Sequence, residues 1–240
     1  MLVVARLGDR GRVSFVICYR IEFEAQMDTI SKKHRTLKSI KKVAGDLPVF
    51  KSVKSWLRSR REKKLLRKWE RDGKPLPPPH QVKEHAIRNY AKEYKLRVLV
   101  ETGTYRGEMV QKMLNYFEKI YSIELDSDLF LRAKEMFREQ DKVKIIHGDS
   151  AVELRNLVME LDQPALFWLD GHFSGGCTAK GEKNTPVVEE LTHICDAGES
   201  RNVILIDDAR FFGAGADYPS FDELNDMIKM KIGDASFRVE

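Results

Sequence analysis

From residue 97 onward, short β-rich runs alternate with amphipathic helical stretches, and this alternation constrains the fold more than any other feature of the sequence. The runs are residues 98–101, 119–124, 142–147, 165–170 and 202–207. Strands separated by helices favour a mostly parallel sheet with right-handed crossovers. We therefore predict a doubly wound, Rossmann-like α/β fold, in which ligands bind beyond the carboxyl ends of the strands.

Gly73 and four prolines at positions 75 to 79 mark a boundary before this domain. Closely spaced prolines lack donors and favour an extended linker. We predict a basic, mainly helical extension over residues 1–74, a linker over 75–80 and the α/β domain over 81–240. The domain begins with a helix over Val82 to Tyr94. Residues 1–26 look strand-like or irregular, and Met27 is an alternative start.

Charge is unevenly distributed along the chain. Residues 1–80 carry 21 Lys and Arg against 8 Asp and Glu, whereas the other 160 residues carry 21 against 29. Such asymmetry indicates that the basic part faces an anionic surface. We predict that residues 32–74 contact a membrane surface or nucleic acid.

The sequence predicts neither a membrane span nor secretion. The longest strongly apolar run, Val13 to Tyr19, is far too short to cross a bilayer, and arginines bracket it. Three cysteines without CxxC spacing support neither a disulfide framework nor a zinc site. The expected location is the cytoplasm, with peripheral contact to a membrane through the basic part.

Residues that can bind a nucleoside follow the first three strands. The first ends in ETGTYRG (101–107), where Gly103 and Gly107 permit close approach of a ligand to the backbone. The second ends at Glu124, seventeen residues past Gly107, where nucleotide-binding folds place a carboxylate that accepts ribose hydroxyls. The third ends in HGDS (147–150), and Asp149 there can accept a hydrogen bond from an adenine amino group. Asp126 and Asp149 are equally suited to cap the following helices.

ETGTYRG, SIELD (122–126) and HGDS together resemble motifs I, II and III of class I AdoMet-dependent methyltransferases, over about residues 97–210. In that family the first motif borders the methionine end of AdoMet, the second binds the ribose and the third the adenine. The resemblance implies a cofactor site made of Glu101, Gly103, Thr104, Gly107, Glu124, Asp149 and Ser150.

Three aspartates stand at the ends of the fourth and fifth strands: Asp170, Asp207 and Asp208. Adjacent strands would bring them together, where unneutralised carboxylates repel one another. A hard divalent cation with oxygen ligands, Mg²⁺ or Ca²⁺ before zinc, is the simplest remedy. Loop caps and surface ion pairs are the alternative roles.

The LDGH (169–172) and IDDA (206–209) segments are similar to the macrocin and sugar O-methyltransferase group. That resemblance implies Mg²⁺ on the three aspartates and His172 as general base. Direct methyl transfer to a hydroxyl of a small molecule or glycan is then expected. An imidazole with an ordinary pKa of about 6.5 can take the proton of a metal-bound hydroxyl near neutrality. A capping or packing role is the alternative for His172.

The segment after His172 is predicted to be a flexible loop that acts as a lid or binds the acceptor. Lys180, Lys183 and Arg210 are candidate contacts to an anionic acceptor, with solvated surface positions as the alternative. Thr185 is predicted to cap the next helix, with Pro186 at its first position.

The C-terminal strand pair of a class I domain is incomplete in this sequence, because the chain stops at residues 236–240, inside the sixth strand. Truncation is one explanation. Another is that a different segment, such as Val13 to Tyr19, covers the exposed edge.

Two functions other than methyl transfer stay open. A tethering protein could keep the fold without turnover and use its basic residues for salt-sensitive docking. A hydroxylase-like enzyme on the same fold would need two histidines and one carboxylate as iron ligands, and His172 is the histidine predicted near the aspartates. A dehydrogenase is disfavoured because GxGxxG is absent.

Overall fold

Five parallel strands form the centre of one sheet in the computed structural model of the chain. They are β3 (Val98–Thr102), β4 (Lys119–Glu124), β5 (Val143–His147), β6 (Ala165–Leu169) and β7 (Val203–Asp207). Their order across the sheet is β5, β4, β3, β6, β7, which is the order of a Rossmann-like sheet up to its fifth strand. Each strand begins and ends within one residue of its predicted bounds. The predicted fold class is confirmed.

The structure describes residues 3–6, 17–18, 60–61, 63–75, 78–171, 185–198, 201–207, 212–213, 218–232 and 238–239.

Six helices accompany the sheet in the described part of the α/β domain. They are α1 (His80–Glu93), α2 (Glu108–Met113), α3 (Ser127–Met136), α4 (Ser150–Glu160), α5 (Val187–Asp196) and α6 (Phe221–Ile232). The predicted helix over 82–94 is confirmed as α1. Thr185 Oγ1 accepts the N–H of Val187 at 3.3 Å, but the N-cap of α5 is Pro186 and not Thr185, so the predicted cap was placed one residue too early.

Two apolar cores lie on the two faces of the sheet, because alternate residues of a strand point to opposite sides. Helices α1 and α2 pack against one face, which includes Leu99, Trp168 and Leu205. Helices α4, α5 and α6 pack against the other, which includes Phe167 and Ile204. Strands β3, β6 and β7 are buried along their whole length, as expected for parallel strands covered on both sides.

The edge beyond β7 is covered by a strand from the beginning of the chain. Strand β1 (Val3–Arg6) runs antiparallel to β7, with Val3 opposite Ile206 and Arg6 opposite Val203. Strand β8 (Arg238–Val239) pairs with the other side of β1. The short strand β2 (Ile17–Cys18) lies parallel to β7 at Ile206 and Asp207. Part of the Val13–Tyr19 segment therefore reaches the edge, as the sequence suggested, but most of the pairing comes from β1.

Two compact units divide the chain, one formed by Met1–Arg20 with Val82–Glu240 and the other by Ile21–Gln81. The first twenty residues thus belong to the unit that contains the sheet. In the other unit, residues 60–61 and 63–71 are helical, and the helix ends before Gly73, which has φ +82°. The division into an extension, a linker and a domain at 74 and 80 stays a prediction.

Among the described residues, no helix combines the length and apolar character needed to cross a bilayer.

Candidate active site

The loop after β3 depends on glycine at two positions. Gly103 has φ +83°, and a Cβ there would lie 2.7 Å from the carbonyl oxygen of Asp170. Gly107 has φ +70° and is the N-cap of α2, and its Cβ would lie 2.8 Å from Cε2 of Phe137. Glycine is required at both positions by the left-handed backbone and by close packing. The fold alone therefore explains these glycines, before any ligand is considered.

Glu101 lies at the end of β3 with only 2% of its surface exposed. Its Oε2 accepts the hydroxyl of Ser122 at 2.6 Å, and Ser122 is 2.6 Å from the hydroxyl of Thr104. Burial raises the pKa of Glu101 to about 8, with smaller contributions from the charges of Asp170 and Glu124, whereas the Ser122 hydrogen bond acts in the opposite direction. A positive charge placed beside this carboxyl would favour its ionised form.

Glu124 ties the end of β4 to the glycine loop. Its Oε2 accepts the backbone N–H of Tyr105 at 2.6 Å, and its Oε1 accepts the N–H of Asp126 at 2.9 Å. Burial raises the pKa of Glu124, while these two hydrogen bonds act to lower it. A carboxylate has about four acceptor positions, so the two backbone donors leave capacity for a further partner. Thr104, Glu101 and Glu124 thus lie close together at one rim, and their role in binding AdoMet stays a prediction.

Asp126 and Asp149 both cap helices, which was the alternative role considered for them. Asp126 Oδ1 accepts the N–H groups of Asp128 and Leu129 at the start of α3. Asp149 Oδ1 accepts the N–H of Ala151 at 2.9 Å at the start of α4, next to the buried Ser150. The capping bond of Asp149 engages Oδ1, and the predicted adenine contacts of Asp149 and Ser150 stay predictions.

Asp170 and Asp207 follow neighbouring strands at the same rim. Strands β6 and β7 pair in parallel with Leu169 opposite Ile206, so the next residue of each chain segment is an aspartate. The side chain of Asp207 is 0% exposed. Its Oδ2 forms an ion pair with the ammonium of Lys83 in α1, whose side chain is 7% exposed. Its Oδ1 is buried with no hydrogen-bond partner among the described residues.

The other predicted residues of this region lie outside the described residues. They are Asp208 as a metal ligand, His172 as the base, and Lys180, Lys183 and Arg210 as acceptor contacts. Within the described part of the chain, no group of three or more His, Cys, Asp or Glu side chains is arranged to hold a metal ion. The Lys83 ammonium already neutralises Asp207, so the described residues do not fit a divalent cation at this carboxylate.

Sequence reasoning missed two side chains of this rim, Lys83 and Ser122. Each left a signal. Lys83 precedes the buried Ile87 and Ala91 by four and eight residues, so it lies on the face of α1 that packs against the sheet. Ser122 is a polar residue inside the buried end of β4, where a hydroxyl needs a partner.

Neither a family model nor a curated protein matches this chain. Solved structures do match. The SAH-bound methyltransferase PaMTH1 of Podospora anserina is 17% identical, with 87% of this chain and 84% of that chain covered and a TM-score of 0.43. The methyltransferase domain of bacterial CtHen1-CN is 11% identical, with 64% and 86% covered and a TM-score of 0.42. The 23S rRNA methyltransferase ErmE is 15% identical, with 50% and 42% covered and a TM-score of 0.33, so the match spans less than half of that chain.

Proposed function

We propose that this chain is an AdoMet-dependent methyltransferase that acts on a hydroxyl group of a small molecule or glycan. The observation that carries the proposal is the joining of the glycine loop to both acidic strand ends. Tyr105 donates its N–H to Glu124, and Thr104 connects through Ser122 to Glu101. These contacts stand at the carboxyl rim, where a Rossmann-like sheet binds its ligand.

Glu101 is proposed to recognise the ammonium group at the methionine end of AdoMet. The carboxyl is buried and has a pKa of about 8, so its ionised form is costly without a counter-charge. An ammonium group would supply that charge.

Glu124 is proposed to accept the ribose hydroxyls through the acceptor positions that its two backbone donors leave. Asp149 and Ser150 are proposed to lie beside the adenine. Asp149 is fixed by its cap on α4, which would hold it in a single orientation for such a contact.

AdoMet supplies an electrophilic methyl group on a positively charged sulfur. During transfer the carbon–sulfur bond breaks, a bond to the acceptor oxygen forms, and the sulfur leaves as a neutral thioether. The acceptor proton must pass to a base, and His172 is proposed for that role on the resemblance of its segment. Holding the two reactants in line would supply most of the acceleration.

The sequence also predicts magnesium assistance from Asp170, Asp207 and Asp208. The Lys83–Asp207 ion pair argues against it, and no step of the proposed reaction passes through a cation. The basic helical residues 60–61 and 63–71 support a subsidiary proposal, a contact with an anionic surface, because their Lys and Arg side chains are exposed. A cytoplasmic location with peripheral membrane contact belongs to this subsidiary proposal.

The tethering and hydroxylase-like alternatives predict other results. Tethering predicts salt-sensitive association with nucleic acid or anionic lipid and no methyl transfer. A hydroxylase needs a set of two histidines and one carboxylate, and the described residues contain no metal-holding group of that size. No observation on the described residues favours either alternative.

Calorimetric titration of the full chain with AdoMet, in a buffer that contains EDTA, tests the proposal. Glu124→Gln should weaken binding by about tenfold or more, because a charge-assisted hydrogen bond is lost. Glu118→Gln is the matched control, since Glu118 precedes the same strand by one residue and its side chain is 59% exposed. Labelled AdoMet then measures transfer to a panel of hydroxyl acceptors. Absence of AdoMet binding by the wild-type chain would overturn the proposal.

A further inference from the structure

We infer that Lys83 supplies the positive charge that a divalent cation would otherwise bring to Asp207, so that this rim works without a metal ion. Lys83 is a positioning residue in this inference, because it acts through Asp207. The functional consequence rests on the proposed methyl transfer, whereas the charge substitution itself does not.

The position of Lys83 on α1 directs its ammonium to the sheet. Lys83, Ile87 and Ala91 are spaced by four residues and are all buried, so they form the face of α1 that packs against the sheet. On the sheet, Leu205 belongs to the core beneath α1, and Asp207 lies two residues further along the same strand, on the same face. The ammonium passes 5.9 Å from the ring centroid of Trp168, which lies in that core.

Because Lys83 and Asp207 are both buried, each charge is destabilising unless the other is present. The two side chains are 7% and 0% exposed, and a buried charge is tolerated only when it is paired. Removal of the ammonium would leave the Asp207 carboxylate uncompensated. The pair therefore accounts for an aspartate at this buried position without any ligand.

The same pair opposes a divalent cation. Magnesium requires near-octahedral oxygen ligands at about 2.0 to 2.1 Å. One oxygen of Asp207 is engaged by Lys83, and a cation on the other oxygen would stand beside an ammonium of like charge. Lys83 would have to withdraw before the ion could bind.

Asp207 is therefore neutralised by a residue of the chain itself, and the repulsion for which the sequence suggested a cation no longer includes this carboxylate.

Titration of the 240-residue chain with Mn²⁺, followed by the loss of the free-ion signal in electron paramagnetic resonance, tests the inference. The wild type should leave the signal at the level of a protein-free solution. Lys83→Met should gain a Mn²⁺ site, because it removes the ammonium that occupies one oxygen of Asp207 and the like charge that opposes a cation there. Lys112→Met is the matched control, since Lys112 is a partly buried lysine that pairs with Glu84 in the same helix as Lys83, and it should gain no site.

A Mn²⁺ ion bound by the wild type and lost in Asp207→Asn would overturn the inference. A folded Lys83→Met variant that binds no more Mn²⁺ than the wild type would also overturn it. If Lys83→Met does not fold, the titrations of the wild type and of Asp207→Asn decide the question. Methyl transfer by the wild type should continue undiminished in EDTA. If the wild type binds no AdoMet, the proposed function is refuted. The Mn²⁺ titration still decides the inference about Lys83, because it does not require AdoMet.

Discussion

Gly103 and Asp170 are in close backbone contact across the tops of β3 and β6. A Cβ on Gly103 would lie 2.7 Å from the carbonyl oxygen of Asp170 and 3.1 Å from its carbonyl carbon. The loop after β3, which is proposed to bind AdoMet, therefore packs directly on the loop after β6, which begins with Asp170. A side chain added in one of these loops must displace the backbone of the other, because backbone atoms cannot move aside as a flexible side chain can.

Gly103→Ala should destabilise the protein and impair AdoMet binding. Gly198→Ala is the matched control, because Gly198 has φ +72° but open space around its Cβ position. The control measures the loss of folding stability caused by a non-glycine residue in the left-handed conformation alone, which is about 1 to 2 kcal/mol. Gly103→Ala should cost at least about 1 kcal/mol more because of the clash. Equal midpoints of urea unfolding for the two variants would contradict the close contact.

Glu101 should make stability fall as pH rises. Its pKa is raised from 4.5 to about 8 in the folded state, so the native protein binds more protons than the unfolded chain between these values. The free energy of unfolding then decreases with pH across this window, by at most about 1.4 kcal/mol per unit, and levels off above it. Glu101→Gln should remove this contribution, whereas Glu118→Gln should keep it. Urea unfolding at pH 5, 6, 7 and 8 gives the comparison, and parallel profiles for wild type and Glu101→Gln would refute the assignment.

AdoMet affinity should rise with pH through the same residue. An ammonium group beside Glu101 favours the carboxylate, so binding releases a proton from a carboxyl that is largely protonated below pH 8. Between about pH 6 and 7.5 the affinity should increase by up to about tenfold per unit, before the amino group of AdoMet itself begins to titrate. Calorimetry in buffers of different ionisation enthalpy measures the released proton. Proton uptake, or no exchange, would contradict the proposed contact with Glu101.

The central sheet was predictable because the sequence patterns that indicate its strands lie within the strands and at their ends. Buried parallel strands are continuous apolar runs, and the residues at their ends stand out as glycine or acidic turns. The same local logic gave the capping role of Asp126 and the contact of Thr185 with α5. For Asp149 the sequence offered both a cap and an adenine contact, and a short polar side chain after a strand suits either.

The contacts that sequence reasoning missed join distant segments. Lys83 and Asp207 are 124 residues apart, and a lysine in a helical stretch reads as a surface residue. Once Lys83 is placed beside Asp207, the electrostatic argument for a cation loses its basis at that residue. Strand β1 is still further from β7 along the sequence, and its four apolar or basic residues carry no signal for the edge that they cover.

Strand β1 should be needed for stability, since it lies between β7 and β8. A chain that begins at Met27 lacks β1 and β2 and leaves the edge of β7 exposed, so it should unfold at lower urea and aggregate more readily. Val4→Pro tests the pairing more narrowly. A proline cannot donate to a ladder and should cost about 1 to 3 kcal/mol, the cost of a strand acceptor left unpaired, whereas Val4→Thr should cost far less. Equal stability of the Met27 form and the full chain would show that β1 contributes nothing.

Asp149 and Asp126 form a matched pair that separates capping from cofactor binding. Both accept backbone N–H groups at the start of a helix, so alanine at either position should cost about 1 kcal/mol of stability. Only Asp149 is proposed to contact the adenine. Asp149→Ala should therefore weaken AdoMet binding beyond its effect on stability, and Asp126→Ala should leave the affinity within about twofold of the wild type, a difference of about 0.4 kcal/mol. Urea unfolding and calorimetry on the same preparations give the two quantities. If both variants lose affinity to the same degree, the effect follows from the caps, and Asp149 has no role of its own in binding the cofactor.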